Sequence, residues 1–216
     1  MNEPSPVAAA PLGLRERRRR ETLREVSDAA LQLFERNGFT ETTVDDIADA
    51  AGISQRTFFR YYATKEQAVC VNDVGLGAVM DETVAVIRSG APVVAALEDA
   101  WMRLFGEFDA RPEEHRRTLR VRRLVQSEPA LLARTLANEA ERIDELTDAA
   151  VDAAGASADV LTARALVALV STTTRLAFDE WARRAEMGAD ASVRDIYLEL
   201  RRGLGTYARH LTGELL

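Results

Sequence analysis

The stretch that most constrains the fold is residues 42–65, TTVDDIADAAGISQRTFFRYYATK. Thr43 is well suited to cap a helix, and Asp46 stands three residues later, where it would complete a capping box. Gly52 follows at a point where helices commonly end in the left-handed conformation, and Ser54 is suited to cap the next helix. Two short helices joined by a turn that contains glycine are typical of a helix-turn-helix.

The apolar pattern supports this interpretation. On the first of the two helices, the apolar side chains fall on one face and the acidic ones on the other. The second helix is predicted from Gln55 to about Tyr61, and a third begins at Thr64 with Gln67 as its capping-box partner. In such a motif the second helix enters the major groove of DNA, and its first residues meet the edges of the bases.

The composition indicates a soluble, all-helical protein. The chain has 216 residues, of which 47% are hydrophobic and 29% charged, and proline is scarce. Cys70 is the only cysteine, which excludes an intramolecular disulfide. No apolar run approaches the roughly 18 residues of a membrane span, and the N-terminus has no secretory signal pattern. We therefore expect a cytoplasmic protein with no membrane partner.

Charge is unevenly distributed. The formal net charge is −7, but residues 1–68 carry 10 basic and 11 acidic side chains against 18 and 24 in the remainder. The positive charge gathers in an arginine run, Arg17, Arg18, Arg19 and Arg20, at the start of the first long helix. Cations there oppose the helix dipole, and DNA phosphates would offset that cost while releasing counterions. A solvated charge run that serves solubility is the alternative.

The rest of the chain predicts further helices and three regions. Residues 1–13 are expected to be a disordered tail, 14–64 the helix-turn-helix domain, and 65–216 a larger helical domain. A helix over 14–37 ends at Asn37-Gly38, and another runs from Lys65 to about Arg88, interrupted by Gly75 and Gly77. The later helices are predicted over 92–110, 112–127, 129–154, 159–187 and 192–211.

Signals of an enzyme are poor. His115 and His210 are the only histidines, and neither lies in a cluster with metal-ligand spacing. There is no nucleophile elbow and no phosphate loop of the Walker type. Residues 203–208, GLGTYA, match a dinucleotide fingerprint only in letters, since they fall in a helix with no preceding strand. We expect no enzymatic activity, no cofactor and no metal.

Residues 24–69 resemble the N-terminal domain of the TetR family of bacterial regulators. The elements in common follow one another in a single register: Asn37-Gly38-Phe39, Thr42-Thr43-Val44, Ile47-Ala48, Ala51-Gly52-Ile53-Ser54, Thr57-Phe58-Phe59, Tyr61-Tyr62 and Lys65-Glu66. The resemblance implies a homodimer joined through the last two helices, in which each N-terminal head reads half of a near-palindromic operator. It also implies that the C-terminal domain binds a small ligand.

The resemblance assigns roles by position. Thr43 would contact a phosphate, while Gln55, Arg56 and Thr57 would face the groove. Tyr61 and Lys65 would hold phosphates. Phe59 stands where a tyrosine is common, so Tyr62 or Arg60 would replace its contact. From the residues themselves, Phe58 is expected in the core or in an apolar groove contact, and Phe59 in the core. The full set of expected DNA contacts is Arg17, Arg18, Arg19, Arg20, Thr43, Ser54, Gln55, Arg56, Thr57, Phe58, Tyr61, Tyr62 and Lys65.

A set of large apolar side chains in the C-terminal domain is the candidate lining of a ligand cavity, with plain core packing as the alternative. They are Met80, Trp101, Phe105, Phe108, Leu124, Phe178 and Trp181. A looser resemblance to mycofactocin-system and acyl-CoA-responsive regulators favours an apolar or acyl-type effector. The arginines of residues 116–123 would either receive an anionic head group or form a solvated face.

The sequence therefore predicts a ligand-responsive transcriptional regulator with an N-terminal helix-turn-helix head and a helical ligand-binding and dimerisation domain. A repressor of a palindromic operator is favoured over an activator. The alternative is a helical ligand-binding or enzymatic bundle whose DNA-binding head is vestigial.

Overall fold

The computed structural model describes residues 13–70, 74–155 and 159–213, and within these ranges the ordered elements are all helices. The helices are α1 (Leu14–Asn37), α2 (Val44–Ala50), α3 (Gln55–Tyr61), α4 (Lys65–Cys70), α5 (Val74–Arg88), α6 (Val93–Asp109), α7 (Pro112–Ser127), α8 (Pro129–Ala154), α9 (Val160–Glu186) and α10 (Val193–Gly213). The prediction of an all-α fold is confirmed. Nearly all of the tail that the sequence predicts to be disordered lies outside the described residues.

The chain forms two compact units, Met1–Val74 and Gly75–Leu216, which we call the N-terminal and C-terminal units. The sequence predicts a boundary ten residues earlier, at the start of a helix running from Lys65 to Arg88. The structure instead describes α4 and α5 in this stretch, with residues 71–73 outside the described ranges. Because α4 packs against α1, the first turns of the predicted helix belong to the N-terminal unit.

The end of α1 sets the direction in which the helix-turn-helix begins. Gly38 adopts a φ of +88°, in the region that favours glycine, and its N–H donates to the Phe34 carbonyl at 3.0 Å. Thr42 is fully buried, and its hydroxyl donates to the Gly38 carbonyl at 2.8 Å. This partly buried hydrogen bond closes the connection between α1 and α2.

The core of the N-terminal unit is built from one stripe on each helix. Side chains from α1, α2, α3 and α4 are less than 2% exposed: Val26, Leu31, Ile47, Phe58 and Val69. Burial of each such side chain stabilises the fold by about 1.5–3 kcal/mol. Packing of α1 against α2 and α4, and of α2 against α3, encloses this core.

The core of the C-terminal unit lies between α6, α9 and α10, and α8 packs along α9. Asp109, at the end of α6, caps the start of α10. Its carboxylate accepts hydrogen bonds from the Ser192 hydroxyl at 2.7 Å and the Val193 N–H at 3.0 Å. An ion pair between Arg201 and Glu98, at 2.7 Å, joins the same two helices further along. The position of α10 is thus fixed by polar contacts as well as by packing.

Helix α9 combines an apolar sequence with a largely exposed surface. Among the described residues it is the one helix long and apolar enough to cross a membrane, judged by length and composition alone. Only 28% of its most apolar window is buried. The sequence predicts no such segment when only uninterrupted apolar runs are considered. The most apolar window of α9 meets the criterion because up to two charged residues are allowed in it. Core helices of soluble proteins meet the same criterion.

Candidate nucleic-acid interface

Helix α2 begins with the predicted capping box. The Thr43 hydroxyl accepts from the Asp46 N–H at 3.1 Å, and the Asp46 carboxylate accepts from the Thr43 N–H at 2.8 Å. The Thr43 hydroxyl also donates to that carboxylate at 2.6 Å, and these hydrogen bonds hold the pKa of Asp46 below its usual range. Both donors of Thr43 are therefore committed to Asp46. The expected phosphate contact of Thr43 stays a prediction, and the phosphate would have to displace the carboxylate.

The turn between α2 and α3 has the predicted geometry. Gly52 has a φ of +66°, and the Ile53 N–H donates back to the Ala48 carbonyl at 2.9 Å. Ser54 then caps α3, since its hydroxyl accepts from the Thr57 N–H at 3.1 Å. The two hydroxyls of Ser54 and Thr57 are also hydrogen-bonded to each other at 2.9 Å. These contacts fix the first turn of α3.

Helix α3 divides its side chains sharply between core and solvent. Gln55 and Arg56 are exposed at its start. Phe58 is fully buried, so it belongs to the core and is not a groove contact. Phe59 is 51% exposed, and the edge of its ring packs against Phe58 at 5.6 Å. The expectation that Phe59 lies in the core is therefore wrong.

The spacing along α3 could have identified Phe59 as an exposed residue. Phe59 follows Gln55 by four residues, which places both on the polar face of the helix. Phe58 instead precedes the buried Tyr62 by four residues, and their rings lie 5.6 Å apart. Sequence reasoning missed an apolar side chain on the same exposed face as the expected base contacts.

Tyr62 is a structural residue. It is only 4% exposed, and its hydroxyl donates to the carbonyl of Leu23 in α1 at 3.0 Å. This hydrogen bond joins the end of α3 to α1 inside the unit. Tyr62 is therefore corrected from an expected DNA contact to a support of the recognition helix.

Lys65 is also turned inward. Its ammonium group donates to the carbonyls of Phe39 at 2.7 Å and Thr42 at 2.9 Å, and more weakly to that of Thr40 at 3.4 Å. It also lies 4.3 Å from the centre of the Phe39 ring. An ammonium has three donors, and all three are used within the unit. Lys65 ties α4 to the connection between α1 and α2, and its expected phosphate contact stays a prediction.

Two groups of cations remain on the surface of the N-terminal unit. Arg17, Arg18 and Arg19 are exposed at the start of α1, and Arg20 is half-buried. At the end of α3, Arg60 donates to the Tyr61 hydroxyl at 3.2 Å, with its guanidinium 4.8 Å from the centre of the Tyr61 ring. The half-buried Tyr61 thus presents its hydroxyl at the surface, where it accepts a hydrogen bond from Arg60.

The residues expected to line a ligand cavity are packed together. In the C-terminal unit, ring centres lie 5.8 Å apart for Trp101 and Phe105, 5.7 Å for Phe105 and Phe178, and 4.9 Å for Phe108 and Trp181. Met80 belongs to the same core, whereas Leu124 is buried outside that cluster, on α7. His115 borders the cluster, 4.6 Å from Phe108, and its Nε2 lies 3.0 Å from the Phe108 carbonyl.

The arginines of α7 are partly neutralised by α9. Arg122 pairs with Asp179, and Arg123 pairs with Glu186 at 2.8 Å. Burial, with a smaller contribution from nearby Arg175, lowers the pKa of Arg122. These pairs favour a structural role over the reception of an anionic head group. Within the described residues, no group of three His, Cys, Asp or Glu side chains is arranged to hold a metal ion.

Comparison with known proteins finds a family match within the N-terminal unit. The profile of bacterial regulatory proteins of the tetR family matches residues 26–68, the segment that forms α1 to α4. A stretch of 49 residues of the chain is 59% identical to MftR, a regulator named for mycofactocin biosynthesis in Mycobacterium tuberculosis. In residues 26–68 the chain carries the sequence signature of the TetR family of bacterial regulatory proteins. The expectation drawn from the sequence is confirmed.

Similarity to TetR-family members also extends beyond the N-terminal unit. The regulator TcmR of Streptomyces glaucescens is 29% identical over 183 residues, which cover 83% of this chain and 81% of that protein. The match to MftR covers 23% of this chain and only 25% of that protein. These relatives are regulators and not enzymes, in agreement with the expectation for this chain.

Two solved structures are more distant. FadR from Bacillus halodurans, a fatty acid degradation regulator, has a TM-score of 0.45 and 14% identity, with 89% of this chain and 95% of that chain covered. FadR from Thermus thermophilus, solved with lauroyl-CoA, has a TM-score of 0.42 and 22% identity, with 83% and 91% covered.

Proposed function

We propose that this TetR-family protein is a dimeric cytoplasmic repressor that binds a near-palindromic DNA operator through α3. A small apolar or acyl-type compound would bind the C-terminal unit and release the operator. The observation that carries the proposal is the division of α3 into a buried side, anchored by Phe58, and an exposed side that presents Gln55 and Arg56.

The exposed side of α3 carries chemistry suited to base recognition. Arginine recognises guanine and glutamine recognises adenine through paired hydrogen bonds in the major groove, each worth about 1–3 kcal/mol of discrimination. Gln55 and Arg56 occupy the first turn of α3, the part that meets the bases in this motif. Thr57 is half-buried and bonded to Ser54, so it would make a supporting contact.

Dimerisation is proposed through α9 and α10. Apolar side chains of both helices remain exposed in the single chain: Leu161, Leu169 and Leu176 on α9, and Leu204 and Tyr207 on α10. The three leucines are spaced by eight and seven residues, which places them on one face of α9. A second copy would cover this face. Replacing Leu169 and Leu176 with glutamate should yield monomers in light scattering and abolish operator binding.

The effector would enter the aromatic cluster of the C-terminal unit. Because the rings of Phe108, Phe178 and Trp181 contact one another in this structure, a ligand must part them to bind. The cost of opening packed rings favours a ligand that replaces the lost apolar contacts, such as an acyl chain. The looser resemblance to acyl-CoA-responsive regulators also favours an acyl-type ligand.

A binding assay on the DNA upstream of the protein's own gene tests the proposal. The full chain should bind one segment there more tightly than a shuffled duplex, and added acyl-CoAs should weaken that binding. Arg56→Ala should reduce the preference for the segment over the shuffled duplex by about 1–3 kcal/mol. Arg103→Ala is the matched control, because it removes an exposed arginine from the C-terminal unit.

The alternative function makes the opposite prediction. A helical bundle with a vestigial head would bind acyl-CoAs or other apolar compounds without preferring any DNA sequence. The exposed polar face of α3 argues against it, since a head that no longer bound DNA would not need to present Gln55 and Arg56.

A further inference from the structure

The hydroxyl of Thr174, in the middle of α9, is buried without a hydrogen-bond partner among the described residues. The residue is only 4% exposed. Two other buried side-chain atoms of the described chain lack a partner, the Nε atoms of Arg122 and Arg134, but other nitrogens of both guanidinium groups form ion pairs. In Thr174 the hydroxyl is the one polar group of the side chain. It loses its contact with water on folding and gains no hydrogen bond in return.

Other buried threonines within helices are bonded to their own helix. The hydroxyls of Thr83, Thr147 and Thr173 each donate to the carbonyl four residues earlier, at 2.7 Å. This is a common way for a helical threonine to satisfy its hydroxyl. Thr174 follows Thr173 directly and is similarly buried, yet its hydroxyl makes no such bond within the described chain. Its donor is therefore open to a partner from outside the chain.

Thr174 lies on the side of α9 that carries the aromatic cluster. Phe105 of α6 contacts Phe178 of α9, and the next ring contact between these helices lies three residues further along both. The two helices therefore run in the same direction here. Four residues before this pair, one turn earlier on each helix, are Trp101 and Thr174, and the register brings them to the same level. The hydroxyl is thus placed beside the rings that the proposed effector would part.

The surroundings of Thr174 favour a ligand that is apolar except for one acceptor. Val170 and Phe178 lie one turn before and one turn after it on α9, and neither side chain forms hydrogen bonds. A hydrocarbon ligand would leave the hydroxyl as unpaired as it is in the free chain. A carbonyl oxygen is satisfied by a single donor, which a threonine hydroxyl provides. Binding of a carbonyl compound would therefore pair both groups at once.

We propose that the effector is an apolar compound with a carbonyl group, and that the Thr174 hydroxyl donates a hydrogen bond to this carbonyl between α6 and α9. The inference rests on the proposed function, because it names the polar contact of the same ligand site. It adds that the site selects its ligand by one hydrogen bond as well as by apolar contact.

The test uses the full chain and two probes of the same shape. One is methyl octyl ketone, and the other is its methylidene analogue, in which a CH₂ group replaces the carbonyl oxygen. The fluorescence of Trp101 and Trp181, the two tryptophans of the protein, follows binding because both belong to the core of the C-terminal unit. Thr174→Val should weaken binding of the ketone by roughly 5- to 100-fold, since the buried carbonyl loses its donor. Binding of the methylidene analogue should stay unchanged.

Thr173→Val is the matched control. It makes the same change at the next residue, which is similarly buried but bonded to the Leu169 carbonyl. It should affect the two probes equally. Thr174→Ser keeps the hydroxyl and should keep the wild-type ratio of the two affinities. Urea unfolding without ligand tests the premise: Thr174→Val should have a higher midpoint than Thr173→Val, because only Thr173→Val breaks a hydrogen bond.

An equal effect of Thr174→Val on the two probes would overturn the inference. A lower unfolding midpoint for Thr174→Val than for Thr173→Val would do the same, because it would show that the hydroxyl already has a partner. Either result leaves the proposed function standing, since the wild type still binds apolar compounds. If the wild type binds neither probe, the inference fails; if acyl-CoAs also leave operator binding unchanged, the ligand response in the proposed function fails as well.

Discussion

Replacing Lys65 with methionine should destabilise the N-terminal unit. Methionine keeps an unbranched chain of similar length but removes the ammonium group. The carbonyls of Phe39 and Thr42, both partly buried, would each lose a charge-assisted hydrogen bond. The Thr40 carbonyl is exposed and can bond to water instead.

The expected size of the effect follows from these contacts. A hydrogen bond to a charged group contributes about 1.5–3 kcal/mol, and part of the loss is recovered where water reaches the site. Lys65→Met should therefore cost about 2–4 kcal/mol in the free energy of unfolding. The protection of the slowest-exchanging amides in the unit should fall by roughly 30- to 900-fold, since about 1.4 kcal/mol corresponds to a factor of ten.

Hydrogen exchange followed by mass spectrometry measures this loss of amide protection separately in each of the two units. Peptides from residues 14–70 should lose protection, whereas those from the C-terminal unit should not. Both tryptophans, Trp101 and Trp181, lie in the C-terminal unit, so their fluorescence gives an independent reading of that unit. Arg56→Met is the matched control, because Arg56 is an exposed cation of α3. It should keep full protection while weakening DNA binding.

One result would refute the reasoning. If Lys65→Met kept full amide protection and instead weakened DNA binding with a lower salt slope, Lys65 would be a phosphate contact and not a structural link.

Four further predictions concern single side chains. Thr43→Ala removes the cap of α2 and should cost about 1 kcal/mol, measured by urea unfolding. Phe59→Ala should weaken operator binding, and deoxyuridine in place of one operator thymine should weaken the wild type but not this variant, if the ring contacts the thymine methyl. Burial raises the pKa of Tyr197 to about 12, so stability should fall as pH rises from about 10, the pKa of an unfolded tyrosine, to 12. Tyr197→Phe should remove that part of the pH dependence in urea titrations. Asp109→Ala should cost about 1–3 kcal/mol and speed amide exchange in the first turn of α10, because the Val193 N–H loses its acceptor.

Local sequence signals were sufficient for most helix boundaries. The bounds of α1, α3, α7 and α8 agree with those predicted from apolar spacing and from the glycine and proline residues that flank them. The caps at Thr43 and Ser54 also follow from residues three positions apart. Such signals succeed because the interacting groups lie within one turn of the same helix.

The roles of individual side chains depended on contacts that no local pattern contains. The partners of Lys65 lie 23 to 26 residues earlier in the chain, and the partner of Tyr62 lies 39 residues earlier.

Selection of DNA from a random pool by the full chain tests the central claim most directly. The account predicts an enriched motif of two half-sites related by two-fold symmetry, with centres one helical turn, about 34–36 Å, or a multiple of it apart. Repeating the selection with Arg56→Ala should relax the preference at one position of each half-site and leave the spacing unchanged. A wild-type pool that enriches no common motif would contradict the claim that α3 reads a DNA sequence.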